Sequence, residues 1–252
     1  MPEPWKRKEV IGDCTLYLGN CREIMPELGK VDAVVTDPPY RIDLNTDSSR
    51  FSGGNCAGVA RRRSRGMELR SRGVANGKPV IGDKSPFDPS FLKEYGQEQI
   101  IWGLNNYPEK LGRGTSLVWI KRNDKAFGSF LSDAEIAWFS KGHGVYCRRD
   151  LSMKAIERHR VHPTQKPVAL MEWCLGFLPN AQTILDPFAG SGTTLVACAK
   201  LGRKGIGIEL DESYFDIACR RVEEAYRQPD MFVERPAKAH QEALSFDGDV
   251  DA

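Results

Sequence analysis

The sequence predicts an α/β protein built on a doubly wound, mostly parallel sheet, and three observations predict it. A β-branched run, VDAVVTD at 31–37, ends at two prolines, as a strand buried on both faces does when it is stopped at its carboxyl end. In the back half, strand-like and helical stretches alternate, and strands joined through helices run parallel with right-handed crossovers. A glycine-containing turn, Phe188 to Thr194, follows one of those strands directly and opens a helix.

After the 31–37 strand, residues 41–88 lack a sustained apolar period and carry seven glycines, a composition that belongs to functional or unstructured segments. QIIWGLN (99–105) and SLVWIKR (116–122) are strand-like, and AEIAWFS (134–140) is followed by a basic, irregular stretch. Pro167, Leu170, Met171, Cys174, Leu175 and Leu178 have helical spacing, with proline suited to the first turn. TILD (183–186) is a strand, Thr193 to Leu201 a helix closed by Gly202, and KGIGIE (204–209) another strand. Tyr214, Ile217, Ala218, Arg221, Val222 and Ala225 form one face of a last helix, with Arg221 the polar exception. At roughly 150 residues per domain, 252 residues make one domain, placed at 1–228; residues 229–252 gather Glu242, Asp247, Asp249 and Asp251 and read as an acidic, disordered tail.

Composition narrows the class. No apolar run approaches the ~20 residues a membrane helix needs, and the N-terminal stretch lacks the apolar core of a secretion signal. Seven scattered cysteines with no C-x-x-C pair favour free thiols and a cytoplasmic protein. His159 and His162 have no Cys or carboxylate partner at ligand spacing, so no metal is expected. The formal charge is only +2, but residues 41–73 hold eight Arg against three acids, and 147–166 hold six Lys and Arg against two. Clustered cations suit a polyanion, whose counterions they release. Loop 41–87 and the short segment 142–161 are therefore the expected polyanion contacts, through Arg41, Arg61, Arg62, Arg63, Arg65, Arg148, Arg149, Arg158 and Arg160.

Two motifs carry chemistry. Phe188-Ala-Gly-Ser-Gly-Thr-Thr194 turns tightly into a helix, and Glu209, at the end of the next strand, is placed to accept the hydroxyls of a ribose. The loop has no third fingerprint glycine and no lysine for phosphates, which suits an adenosine group without a pyrophosphate. Asp37-Pro38-Pro39-Tyr40 ends a strand where open α/β sheets place their ligands. A carboxylate and carbonyls without competing N–H groups make an acceptor-only pocket for an amino group, and Tyr40 offers a flat face to a planar base.

DPPY together with PFAGSGT, HPTQKP (162–167) and GIELD (207–211) resembles the β-class of DNA amino-methyltransferases that use S-adenosylmethionine, over about Val10 to Ala225. The resemblance implies their fold, circularly permuted so that the catalytic motif precedes the cofactor loop. It implies catalysis by Asp37, Pro38, Pro39 and Tyr40. It implies cofactor contacts from Asp13, Cys14, Asp37, Thr164, Gln165, Lys166, Asp186, Phe188, Gly190, Ser191, Gly192, Thr193 and Glu209, with 164–166 at the methionine end and Asp13 at the adenine. The implied reaction methylates N6 of an adenine flipped out of the duplex. N4 of cytosine, which shares the fold and chemistry, is the alternative, and Asp37 favours adenine because cytosine enzymes of this kind usually carry Ser there; an RNA or protein amide substrate and a non-catalytic DNA-binding module are further rivals. Many such relatives are dimers, which makes a homodimer an expectation.

Overall fold

The computed structural model describes residues 3–39, 87–123, 127–128, 132–150 and 165–227. Tyr40, Arg41, Arg61, Arg62, Arg63, Arg65, Arg158, Arg160, Thr164, nearly all of loop 41–87 and the 229–252 tail lie outside the described residues.

A hairpin opens the fold, β1 (Arg7–Ile11) and β2 (Cys14–Leu18), followed by α1 (Cys21–Leu28) and β3 (Val31–Thr36). A 3-10 turn (Pro89–Glu94) leads into β4 (Gly96–Trp102), the short α2 (Pro108–Leu111), β5 (Thr115–Ile120), β6 (Ala134–Phe139) and β7 (Val145–Arg149). The back half is α3 (Val168–Gly176), β8 (Thr183–Asp186), α4 (Thr193–Lys200), β9 (Lys204–Glu209) and α5 (Glu212–Arg227). Among the described residues, one nine-stranded sheet holds every strand, in the order β1-β2-β9-β8-β3-β4-β6-β5-β7. All pairings are parallel except β1 with β2 and those made by β6 with β4 and β5.

Both faces of the sheet are covered. Alternate residues of one strand enter different cores: Val35, Ile100 and Trp102 pack with Leu170, Cys174, Leu195 and Phe215 of α3, α4 and α5. Val34 and Ile101 pack with Ile24 and Met25 of α1, Leu92 and Leu111 on the other face. The strand ends, not the middle of the sheet, therefore remain for chemistry. β3, β8 and β9 deliver Asp37, Asp186 and Glu209 to one rim.

Two sequence expectations change, and the hairpin and α1 are elements that no expectation covered. The hairpin and α1 had no clear sequence pattern; β1 is mostly exposed, so it lacks an apolar alternation. The irregular stretch after Ser140 contains β7, so the short segment 142–161 contributes a strand to the sheet. β7 is exposed along most of its length and pairs with β5, so its signal is backbone pairing instead of apolar periodicity. On α5 the buried stripe is Phe215, Ala218, Cys219 and Val222, rotated from the expected face so that Arg221 is only half-buried. Asp211 caps that helix, its Oδ1 accepting the N–H of Ser213 (2.8 Å) and Tyr214 (3.2 Å).

Candidate active site

β3 and β8 are neighbours although 150 residues separate Thr36 from Asp186, and a hydrogen bond of 2.6 Å from Thr36 Oγ1 to Asp186 Oδ1 joins their ends. Thr194 Oγ1 donates to the other carboxylate oxygen at 2.6 Å, and the Phe188 N–H reaches Oδ1 at 3.1 Å. Asp186 thus clasps β3, β8 and the first turn of α4. It is 4% exposed, and burial pushes its carboxyl up to about 6 against the pull of these donors. The side chain expected among cofactor contacts is spent inside the protein.

The turn after β8 has two glycines in the left-handed region, Gly190 (φ 53°) and Gly192 (φ 77°). At Gly192 the missing side chain makes room for α5: a Cβ there would lie 2.9 Å from Ala218 Cβ. Ser191 and Thr193 also face α5. Arg221 Nη1 donates to Ser191 Oγ (2.8 Å), Thr193 Oγ1 (3.2 Å) and the Ser191 carbonyl. Arg221, the polar exception on an apolar face, is the residue that holds the turn. Glu209 closes the same turn from β9: its Oε2 accepts the Gly190 N–H at 2.7 Å, and its Oε1 accepts those of Leu210 (2.9 Å) and Asp211 (2.8 Å). Burial raises its carboxyl above the usual range. Phe188 stands edge-on to Phe87 (5.3 Å between centroids), which also meets Phe91 and Tyr107.

At the end of β3, Asp37 is ion-paired through Oδ2 to Lys166 Nζ. Lys166 is 5% exposed, also lies 3.3 Å from Glu135 Oε2, and sits over the Trp102 ring at 4.9 Å. Glu135 in turn pairs with Lys121 at 2.8 Å. Burial pulls the Lys166 ammonium down, but the carboxylates of Asp37 and Glu135 outweigh it and hold it above its ordinary value. Burial likewise pushes Glu135 up, and the two lysines overcome it and bring it to about 2. The Tyr107 hydroxyl donates to the Pro39 carbonyl, so the rigid turn is fixed from the opposite face of the sheet. Gln165 is adjacent, half-buried before α3.

Asp13 and Cys14 do not join this rim. Cys14 is opposite Gly205 and Leu18 opposite Glu209, so the hairpin turn lies four residues, about 13 Å, toward the other end of the sheet. There the Asp13 N–H donates to Tyr226 Oη (2.8 Å) and the Cys14 thiol, pushed up chiefly by burial, faces the Leu195 carbonyl (3.6 Å). The residue at the correct end is Asn20. Its neighbour Gly19 donates to the Glu209 carbonyl at 2.9 Å, and Asn20 caps α1 by accepting the Arg22 N–H at 3.1 Å. The signal was present: Gly-Asn-Cys at 19–21 repeats the Gly-Asp-Cys of 12–14 seven residues later. Among the described residues, no group of three or more His, Cys, Asp or Glu could hold a metal, and no helix is long and apolar enough to cross a membrane.

Residues 93–220, half of the chain, match the family N6_N4_Mtase, described as DNA methylase. The chain belongs to this DNA methylase family. The type II methyltransferase M2.LlaDCHI of Lactococcus lactis subsp. cremoris is 34% identical over 110 residues, 42% of this chain and 41% of that protein. The match thus spans about two-fifths of that relative's length. Among solved structures, a Thermus thermophilus protein in complex with S-adenosylmethionine superposes with a TM-score of 0.50 at 19% identity, over 84% of this chain and 95% of that one. The cytosine-N4-specific PvuII DNA methyltransferase gives 0.52 at 13%, over 88% and 95%. These likenesses show the shared α/β methyltransferase fold. The cofactor of the DNA methylase family is S-adenosylmethionine, and the donor set here fits it: a carboxylate at the end of β9, an aromatic edge at Phe188 and a turn without a lysine.

Proposed function

We propose that this chain transfers a methyl group from S-adenosylmethionine to the exocyclic N6 amine of adenine, flipped out of double-stranded DNA. One observation carries the reading: a carboxylate, Asp37, stands paired with the Lys166 ammonium at the end of β3, beside the Phe188–Thr194 turn of the neighbouring strand. An amine conjugated to a ring is a poor nucleophile because its lone pair is shared. A hydrogen bond from it to Asp37, and a second to the Pro38 carbonyl, localise that lone pair and stabilise the positive charge that develops on nitrogen. The cofactor supplies a methyl group already activated on a sulfonium. Glu209, Phe188, Gly190, Asn20 and Gln165 would hold it, with Ser191, Gly192 and Thr193 shaping the turn from behind and Tyr40 and Thr164 completing the two motifs. Position and orientation for in-line attack then supply much of the remaining rate.

DNA is the proposed partner. Arg148 and Arg149, at the end of β7, reach the same rim as Asp37, four strands or about 19 Å away, and suit phosphate contacts flanking the flipped base. The remaining arginines of 41–87 and 158–160 are proposed to share that role, the 41–87 loop supplying recognition that the short 142–161 segment leaves incomplete. The order of the motifs, with β3 before β8, fits a circularly permuted chain. Sedimentation tests the expected homodimer.

Adenine is favoured over cytosine because Asp37 stands where cytosine enzymes of this kind usually have Ser. N4 of cytosine is the second reading, since the matched family name covers both amines. Incubation with DNA and isotopically labelled S-adenosylmethionine, followed by mass spectrometry of the nucleosides, should give N6-methyladenine. N4-methylcytosine alone would overturn the adenine assignment, and methylation of RNA but not DNA would overturn the substrate class.

A further inference from the structure

The geometry points to Lys166 and Glu135 as positioning residues that fix the orientation and charge of Asp37, in place of the cofactor-holding role expected for Lys166. The inference rests on reading Asp37 as the acceptor for the target amine.

Four charged groups form a row from the catalytic strand toward the sheet edge: Asp37 after β3, Lys166 before α3, Glu135 on β6 and Lys121 after β5. Trp102 on β4 lies under the Lys166 ammonium. An ion row of this kind, buried at Lys166 and half-buried at its other members, is poor evidence of a stability role, because well-packed apolar side chains in place of a buried pair are often as stable. Its effect falls on the group at its end. An Asp37 carboxylate whose Oδ2 is pinned by Lys166 has a fixed plane and stays an acceptor; a protonated Asp37 presents an O–H where the amine needs a lone pair.

The surroundings make that charge state depend on Lys166. Two other carboxylates face Asp37, Glu135 across the shared ammonium and Asp186 from β8, and Asp37 already raises Asp186. Asp37 and Glu135 both reach one nitrogen, which puts them within the ~6 Å over which like charges drive one member to take a proton. The Cys174 thiol of α3, which burial keeps neutral, faces both Lys166 and Arg148. Removing the ammonium takes away the cation that Asp37 and Glu135 share, and Lys121 pairs with Glu135 on its other oxygen.

The test uses the full chain and two readouts. In Lys166→Met, the carbon-13 titration of the Asp37 carboxyl moves to higher pH, the acid limb of kcat moves up with it by about one unit or more, and kcat at neutral pH falls about tenfold or more. S-adenosylmethionine affinity by calorimetry changes by less than about threefold. Adding Glu135→Gln brings the limb back down, because one of the like charges is gone, and Lys166→Arg keeps the wild-type profile. Loss of cofactor affinity with an unmoved kcat profile would place Lys166 at the methionine end and overturn the inference. Should Lys166→Met not fold, Glu135→Gln alone decides: Asp37 then titrates lower, and an unmoved or raised titration overturns it. A wild type that transfers no methyl group ends the methyltransferase reading, and the carbon-13 titration still decides what Lys166 does to Asp37.

Discussion

The two corners of the rim, β8 with β9 and β3, are held by different physics. At the β8–β9 corner, neutral donors do the work: two threonine hydroxyls and a backbone amide surround Asp186, and three backbone amides hold Glu209. At β3, charge does it, through Asp37, Lys166, Glu135 and Lys121. The first corner needs a shape that does not change during a reaction, and short hydroxyl and amide contacts give one. The second must stabilise charge that appears only as the amine reacts, and a fixed neighbouring ion row provides the field without reorganising.

Four substitutions would break or sharpen that contrast. Asp37→Ala should have the largest effect, a loss of about a thousandfold in kcat with cofactor affinity within about threefold, since it removes an acceptor strengthened in the transition state. Single-turnover rates beside calorimetry check this, and wild-type transfer would break the mechanism. Arg221→Met touches only the β8 corner. Releasing the Ser191–Thr193 turn should lower unfolding free energy by about 2 kcal/mol and weaken cofactor binding about tenfold, measured by denaturant titration and calorimetry.

The third separates the corners by pH. Asp186 is raised in the folded protein from an ordinary 3.8 to about 6, so its contribution to stability is present below the ordinary value and is lost as pH rises toward 6. Glu135 is depressed from 4.5 to about 2, so its contribution is present above the ordinary value and is lost as pH falls toward 2. Asp186→Asn should therefore flatten the decline in stability between about pH 4 and 6 and leave the acid side unchanged, as followed by thermal melts across that range. The smallest effect belongs to Tyr107→Phe, which deletes one hydrogen bond to the Pro39 carbonyl. A cost of about 1 kcal/mol and a severalfold lower kcat are expected, with cofactor affinity unmoved.

The same contrast explains what the sequence made legible. β8, α4, β9 and the 31–36 strand were readable because burial on both sides leaves an apolar run bounded by breakers. The Phe188–Thr194 turn was readable because a strand, two glycines and a helix follow one another locally. The charge row was not, because Lys166 lies 129 residues from Asp37 and meets it only once α3 is packed. Asp13 was misplaced for a related reason: a triplet carries no information about which end of a strand it occupies. Gly192 was expected among the cofactor contacts, and the structure shows that its missing Cβ makes room for Ala218. Arg221 looked like a flaw in an apolar face because its partners lie 28 and 30 residues earlier in the chain.

The opening hairpin has a reach beyond its own strands. Arg7 bonds Asp216 at 2.8 Å and covers the Phe215 ring at 5.0 Å, while Tyr226 fills the space against Gly12 and holds the Asp13 amide. Both ends of α5 are thus fastened by the first strand pair, and α5 carries the arginine that shapes the turn after β8. A truncation that removes β1 would therefore unsettle the cofactor loop without deleting any residue of it, and amide exchange in that loop should quicken together with exchange along α5.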